Sequence, residues 1–288
     1  MLPGPAGAGT LEPTALEIKD RTAKVWGASP AGAIHAPAAE PGTREFFEAA
    51  RRRRNGYEIP WLADLVPFAA MAGRSVLEVG CGAGFDAYDF CRSGARYTGM
   101  DITPENPRRT RAHLALYGLT PALIRADAED LPFRSGTFDV VFSNGVLHHT
   151  PDIGRSLREA RRVLRTGGDL WVVLYHRNSF YYGITLFLFD HILYRGFRRR
   201  TLRERLSMIE YTTSGERPLV NVYSRREVRS MLAKAGLEIE SLWVRKLVAE
   251  DLPDVPLFRR LWKFIPRRWL DGAGRIFGWY VIARARKP

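Results

Sequence analysis

Three glycines at alternate positions, Gly80-Cys81-Gly82-Ala83-Gly84, follow directly on the β-rich run Val76-Leu77-Glu78-Val79 and precede a helical stretch. In such a turn glycines let the backbone come close to a ligand, and the N-terminus of the following helix favours negative charge. A tight strand-to-helix connection with no ligand would use the same residues. The second group is Asp101, which closes Thr98-Gly99-Met100-Asp101, 21 residues beyond Gly80. A carboxylate at that place can accept from both hydroxyls of a ribose. Asp127, in Arg125-Ala126-Asp127-Ala128-Glu129, ends the next strand, where it can accept from an adenine amino group. The spacing is GxGxG, with Phe85 where the third glycine of a dinucleotide fingerprint would fall, so a nucleoside without a pyrophosphate is favoured. An NAD-dependent dehydrogenase remains the alternative at this point.

The elements that must position these groups alternate. Ser75–Val79, Tyr97–Met100, Ala122–Arg125, Phe138–Ser143 and Leu170–Leu174 read as strands, and stretches near 84–93, 107–117 and 153–165 as helices. Alternation of this length implies an α/β fold, a doubly wound, mostly parallel sheet with helices on both faces. After an insertion at about 178–222, Ser224-Arg225-Arg226-Glu227 is a capping box opening a helix to Lys234, and Leu237–Val244 and Trp279–Ala283 are the last strands. No clear helix separates these two, which predicts antiparallel pairing at one edge. Residues 1–20 read as unstructured, 21–72 as an N-terminal helical cover, and 73–288 as the main domain with its lid insertion. Within the cover, Trp26 to Pro41 reads as a loop. A helix capped by Thr43 follows, then a second after Pro60.

The ordered set Val76–Gly84, Asp101, Asp127-Ala128 and Phe138-Asp139-Val140-Val141-Phe142-Ser143-Asn144-Gly145-Val146-Leu147-His148-His149 resembles the class I S-adenosylmethionine-dependent methyltransferases. Within that class it is similar to the small-molecule enzymes that act on ubiquinone, menaquinone and sugars. The resemblance covers about residues 75–175. It implies S-adenosylmethionine as cofactor, with Glu78 and the loop of Gly80, Gly82 and Gly84 around the methionine moiety. Asp101 and Ile102 would then meet the ribose side and Asp127 the adenine amino group. Ala128 would offer its N–H to the adenine ring, and Asn144 its backbone to the methionyl ammonium. An ion pair beneath the loop is the plainer role for Glu78, and local structure the expected role of Asp139. Trp26 and Tyr57 lie in the region that covers the cofactor in similar enzymes and are candidates for lining the substrate pocket.

A sulfonium is already an activated electrophile, so methyl transfer needs an acceptor held in line more than it needs strong acid–base groups. A hydroxyl acceptor still gains from a base, and His148 and His149 follow Asn144 where it would approach. Adjacent residues point in different directions, so one of the two is expected to face the pocket. Tyr175 and His176 end strand five at the same edge of the sheet and are further candidates for acceptor contact or deprotonation. Oxygen is the first choice of acceptor atom and carbon the second. A cofactor-binding protein without catalysis is a further class.

The 288 residues are 45% hydrophobic and 26% charged, a globular composition that excludes whole-chain disorder or coiled coil. Two cysteines, Cys81 and Cys91, give at most one disulfide and no zinc pattern; both read as free thiols, and no metal is expected. No apolar run is long enough to span a bilayer and no secretory leader is evident, so a cytoplasmic protein is expected. The net charge of +13 is segregated: residues 1–190 carry 22 basic and 21 acidic side chains, residues 191–288 carry 22 and 10. Phe180–Tyr194 is densely apolar and runs into Arg195, Arg198, Arg199, Arg200, Arg203 and Arg205; Leu257–Trp269 also mixes apolar and basic residues. A lid over the acceptor is one reading. A lid that also makes peripheral contact with an anionic membrane at its inner face is the second. Nucleic acid is disfavoured, because Ser143-Asn144-Gly145-Val146 lacks the Asn/Asp-Pro-Pro-aromatic tetrad of base-amino methyltransferases.

Overall fold

In the computed structural model, which describes residues 13–28, 39–40, 42–210, 215–253, 255 and 264–288, the alternating pattern forms a seven-stranded sheet. Its strands are β1 (Ser75–Val79), β2 (Arg96–Asp101), β3 (Ala122–Arg125), β4 (Phe138–Asn144), β5 (Leu164–Tyr175), β6 (Glu238–Arg245) and β7 (Tyr280–Arg286), in the order β3-β2-β1-β4-β5-β7-β6. Strand periodicity sorts the side chains: Leu77, Val79, Val141, Val172 and Leu174 enter one core, Val76, Val140, Phe142, Trp171 and Val173 the other. Both faces are apolar because both are covered, as a parallel sheet requires. Helices α6 (Ile153–Val163) and α8 (Arg225–Lys234) cover the first face; α4 (Phe85–Arg92) and α5 (Glu105–Ala115) contribute Ala87, Phe90 and Leu114 to the second. Asp139 has the structural role expected of it, accepting from Ser75 N at 2.7 Å and from Arg165 at 2.5 Å.

The antiparallel strand lies at the expected end of the sheet. It is β7, placed between β5 and β6 and antiparallel to both. β5 begins earlier than expected because Gly167-Gly168 sits at a register shift, where Phe138 pairs with Leu164 but Val140 with Asp169. Such glycines mark a bulge and interrupt the apolar run that identifies a strand.

Three expectations need correction. Residues 15–20 are not unstructured: α1 (Ala15–Ala28) begins there, and Thr14 and Glu17 form a reciprocal capping pair, Thr14 N to Glu17 Oε2 at 2.7 Å and Glu17 N to Thr14 Oγ1 at 3.3 Å. The Pro/Gly/Ala-rich start of the chain masked that signal. The same helix takes in Trp26–Ala28, the first residues of the expected loop, while residues 1–12, 29–38 and 41 lie outside the described residues. The third correction concerns the last connection, where a helix does lie between β6 and β7. After α2 (Arg44–Arg53), α3 (Leu62–Leu65) and α7 (Leu202–Ser207), it is α9 (Arg267–Phe277), and its Gly272 and Gly274 weaken the sequence signal. Gly274 is needed for contact, since a Cβ there would lie 3.1 Å from Leu247 N. Most of the candidate segment Leu257–Trp269, residues 257–263, lies outside the described residues.

Candidate active site

The strand order reverses beside β1, opening a crevice between the carboxyl ends of β1 and β4 where such sheets bind ligands. Gly80, Gly82 and Gly84 all have positive φ, at 86°, 53° and 81°. Only glycine fits at Gly80, since a Cβ would meet Val146 Cγ2 at 2.2 Å; a Cβ on Gly82 would meet nothing within 4 Å, because it faces the cavity. Asp101, 7% exposed, accepts from Gly82 N (3.1 Å), Thr103 N (3.0 Å) and Asn106 Nδ2 (3.1 Å). Burial raises its pKa, and these three donors oppose the rise. A carboxylate has about four acceptor sites, so capacity remains for a hydroxyl.

Around this carboxylate lies a cavity that also touches Ile102, Asp127, Ala128 and Asn144. Its roof is α1, through Lys19, Thr22 and Trp26. Lys19 Nζ bridges Asp127 Oδ2 and Glu129 Oε2, both at 2.7 Å, so Asp127 reaches the cavity already paired with a cation that sequence reasoning missed. Thr22 Oγ1 is buried at the same cavity with no hydrogen-bond partner among the described residues.

A second cavity adjoins the first and shares Trp26, Gly80, Gly82, Asn144, Gly145 and His149 with it. Glu78 lines it, 2% exposed and hydrogen-bonded by the Tyr97 hydroxyl; burial and then neighbouring Asp86 raise its pKa well above the carboxylate range. The ion-pair alternative is not what is found at Glu78. It is Asp86 that pairs with Arg54, at 2.9 and 2.6 Å, and it also accepts from Asn144 Nδ2 at 3.1 Å. Aromatic side chains Tyr175, Tyr181, Trp279 and Tyr280 form the far wall, with the Tyr175 and Trp279 rings stacked at 4.5 Å.

Of the two histidines, His149 faces the cavities. Its Nδ1 lies 2.6 Å from the Leu219 carbonyl, a contact that needs the proton on Nδ1 and leaves Nε2 as an acceptor. That Nε2 lies 3.8 Å from Glu210 Oε1, which accepts from the Tyr175 hydroxyl at 2.7 Å. Burial lowers the His149 pKa, with Glu210 acting against it, and burial followed by Glu210 raises that of Tyr175 well above the phenol range. Tyr175 therefore stays protonated and donates to Glu210; it does not deprotonate an acceptor. His148 is fully buried, stacked on Tyr175 at 3.9 Å, and lines neither cavity.

Two candidates fall outside the site. Tyr57 lies in a wide turn, Arg54–Glu58, with its ring 5.2 Å from the Arg53 guanidinium, and the cavity side is taken by Arg54, Glu58 and Ile59. A five-residue turn shifts the facing of each residue relative to an α-helix, so Tyr57 turns away although it lies in the expected cover region. His176 points away from Tyr175, as successive strand residues do, and its Nδ1 meets the Gly278 carbonyl at 3.0 Å. Glu210, Lys246 and Arg54 were not found from sequence. Only Lys246 carries an anomaly, φ of 68° on a non-glycine residue whose ammonium lies 3.6 Å from Glu58, and that appears only with the backbone in hand.

Residues 77–172 match the family described as a methyltransferase domain. That stretch is a methyltransferase domain, and it is similar to the class I S-adenosylmethionine-dependent methyltransferases. It is 40% identical over 102 residues to a phthiotriol/phenolphthiotriol dimycocerosates methyltransferase of Mycobacterium leprae (35% of this chain, 37% of the relative). To a ubiquinone biosynthesis O-methyltransferase of Ralstonia nicotianae it is 29% identical over 140 residues (48% and 58%). The chain thus matches well under two thirds of the length of either. A solved S-adenosylmethionine-dependent methyltransferase from Mesorhizobium loti has the same fold, with a TM-score of 0.54, 20% identity, and 80% and 97% of the two chains covered. The cofactor of this family is S-adenosylmethionine, and the site fits it. Asp101 and the partnerless Thr22 Oγ1 suit hydroxyl-bearing and polar nucleoside groups. Glu78, whose pKa is raised first by burial and then by Asp86, sits where a positive ligand charge would favour its ionised form.

Proposed function

We propose that this methyltransferase methylates a hydroxyl oxygen of a small or lipid-linked acceptor held in the aromatic cavity, with His149 taking the proton. The observation that carries the reading is the His149 Nε2, free to accept, facing that cavity beside Asn144 and Gly145. When bound, S-adenosylmethionine supplies a methyl group already activated by its positive sulfur. Asp101 and Ile102 meet the ribose side, Asp127 and Ala128 the adenine, and the glycine loop with Glu78 and Asn144 the methionine moiety. Burial keeps His149 neutral near pH 7, the form a base must have, and the Leu219 carbonyl fixes its tautomer. Once protonated, the imidazolium is balanced by Glu210, whose carboxylate is held by Tyr175. Trp26 and the Tyr175–Trp279 stack favour a flat or apolar acceptor. The names of the two relatives, a phthiotriol/phenolphthiotriol dimycocerosates methyltransferase and a ubiquinone biosynthesis O-methyltransferase, support the class. Carbon remains the second choice of acceptor atom.

A second reading rests on one feature. Ligand atoms of His148, His149 and Glu210 lie within 4.8 Å of one another, and both His148 ring nitrogens lack partners among the described residues. A divalent ion there would polarise the acceptor hydroxyl directly. The test combines both readings. Calorimetry should show binding of S-adenosylhomocysteine and none of NAD, and a panel of quinols, phenols and lipid alcohols should yield S-adenosylhomocysteine with at least one acceptor. His149→Ala should leave cofactor affinity unchanged and cut turnover by about 100-fold or more. Activity that survives chelation keeps His149 as the base, whereas loss restored by added divalent metal favours the ion. NAD binding without S-adenosylhomocysteine binding would sink both.

A further inference from the structure

The insertion after β5 has two faces of opposite character. Tyr181, Ile209 and Glu210 line the acceptor cavity, Leu186 and Leu206 join the buried core of the sheet, and Thr185 Oγ1 donates to the Asp251 carbonyl at 2.6 Å. That inner face is anchored. The outer face of the wide helix Tyr181–Leu193 and the turn after it carries Phe187, Leu188, Ile192, Leu193, Tyr194 and Phe197, each between 38 and 59% exposed. Apolar side chains grouped like this on a surface mark a contact with something apolar. Arg195, Arg198, Arg199, Arg200 and Arg203 are exposed beside them in sequence, and none forms an ion pair within 4 Å of a described carboxylate.

We propose that this outer face docks on an anionic lipid surface, so that the acceptor enters its cavity from the bilayer. The surface stands on its own; the entry of the acceptor rests on the proposed function. Charge selects the occupant. Five exposed arginines on one short segment, none in an ion pair with a described carboxylate, repel a second copy of the same face and attract an anionic partner. Side-chain type then favours lipid over nucleic acid: Phe187, Tyr194 and Phe197 could stack on bases, but Leu188, Ile192 and Leu193 between them could not, whereas aliphatic and aromatic side chains mixed beside arginines suit the boundary of head groups and acyl chains. Helix α9 repeats the chemistry, with Trp269 and Ile276 exposed among Arg267, Arg268 and Arg275. The segment is too short and too interrupted to cross, and no helix among the described residues is long and apolar enough to do so. Contact at the interface is what this geometry allows. The same short segment that would touch lipid also walls the acceptor cavity, which gives a lipid-borne molecule a short path inward.

The full chain should co-sediment with phosphatidylcholine vesicles containing about 30% phosphatidylglycerol and not with pure phosphatidylcholine, and salt near 1 M should abolish the binding by shrinking the screening length to about 3 Å. Replacing Arg198, Arg199 and Arg200 together by glutamine should weaken partitioning about 100-fold. Phe187→Ser with Leu193→Ser should weaken it about 10-fold or more, the effect of withdrawing two apolar side chains. Unchanged S-adenosylhomocysteine affinity shows that each variant is folded. Wild type that ignores anionic vesicles, pellets equally with neutral ones, buries the face in a dimer, or binds RNA in preference to vesicles overturns the proposal. So does a serine variant that partitions like wild type, since binding would then be adsorption without insertion. Vesicle binding without any S-adenosylhomocysteine binding would remove the proposed function and leave the lipid surface standing.

Discussion

Asp101 shows how one residue can be read from its place in the chain. It ends β2, beside the loop that ends β1, and its carboxylate already accepts from that loop at Gly82 N. Removing it takes away the acceptor for the ribose and frees the loop at the same time. Asp101→Ala should weaken S-adenosylhomocysteine binding by about 10- to 100-fold, the range expected for losing a charge-assisted hydrogen bond. Calorimetry giving equal affinity in variant and wild type would remove the ribose role. Residues at strand ends were legible because the strand pattern itself says where they emerge: Asp101, Asp127, Asn144 and Tyr175 all line the cavities. Glu210 was not legible, because it reaches His149 and Tyr175 from an insertion with no periodicity. Tyr57 and His176 failed for a local reason, each one residue out of phase with the neighbour that does line the cavity.

At the scale of elements, α1 is a roof fastened by Lys19 in its first half and, at its end, by the Arg109 guanidinium donating to the Gly27 carbonyl at 2.7 Å. Lys19 spans 108 residues of sequence to reach Asp127, and it also neutralises Glu129, whose side chain is 4% exposed. No pattern in the first residues announces a partner so far along the chain, which is why the cover was expected only as a region. Lys19→Ala leaves two neighbouring carboxylates without their cation, a loss of about 1–3 kcal/mol for a group this buried. Hydrogen exchange across Ala15–Ala28 should accelerate, S-adenosylhomocysteine affinity should fall several-fold, and the ligand should restore part of the protection. Exchange identical to wild type would mean that packing of Trp26 and Val25, not the ion bridge, holds the helix. The regular core of the fold was readable for the opposite reason: β1, β2 and β4 are short, continuous and sided, while β5 and α9 carry the paired glycines that blur their ends.

For the whole molecule, four of the five described histidines are buried at joints between layers. His113 stacks on Phe47 at 3.9 Å and meets the Ala83 carbonyl at 2.9 Å, tying α2 and α5 to the glycine loop. His148 and His149 lie where the end of β4 meets the insertion, and His176 links β5 to Gly278, two residues before β7. Burial lowers the pKa of all four from the ordinary 6.5, and His113 is brought down to about 4. Between its folded and unfolded values each histidine holds more proton in the unfolded chain, so stability rises with pH across that window. Stability is complete above about 6.5 and is lost as pH falls below it. His113 alone accounts for up to about 3 kcal/mol by pH 4. Each proton also adds to a net charge of +13, so self-repulsion works in the same direction. Urea midpoints should therefore hold steady from pH 8 to 7 and decline progressively from about 6.5 to 5, before most carboxylates titrate. His113→Phe, which keeps a ring against Phe47 but gives up the Ala83 hydrogen bond, should be less stable than wild type at pH 7.5 and lose less on acidification. A flat stability profile from pH 7 to 5 would show that these histidines take up protons in the folded protein without cost.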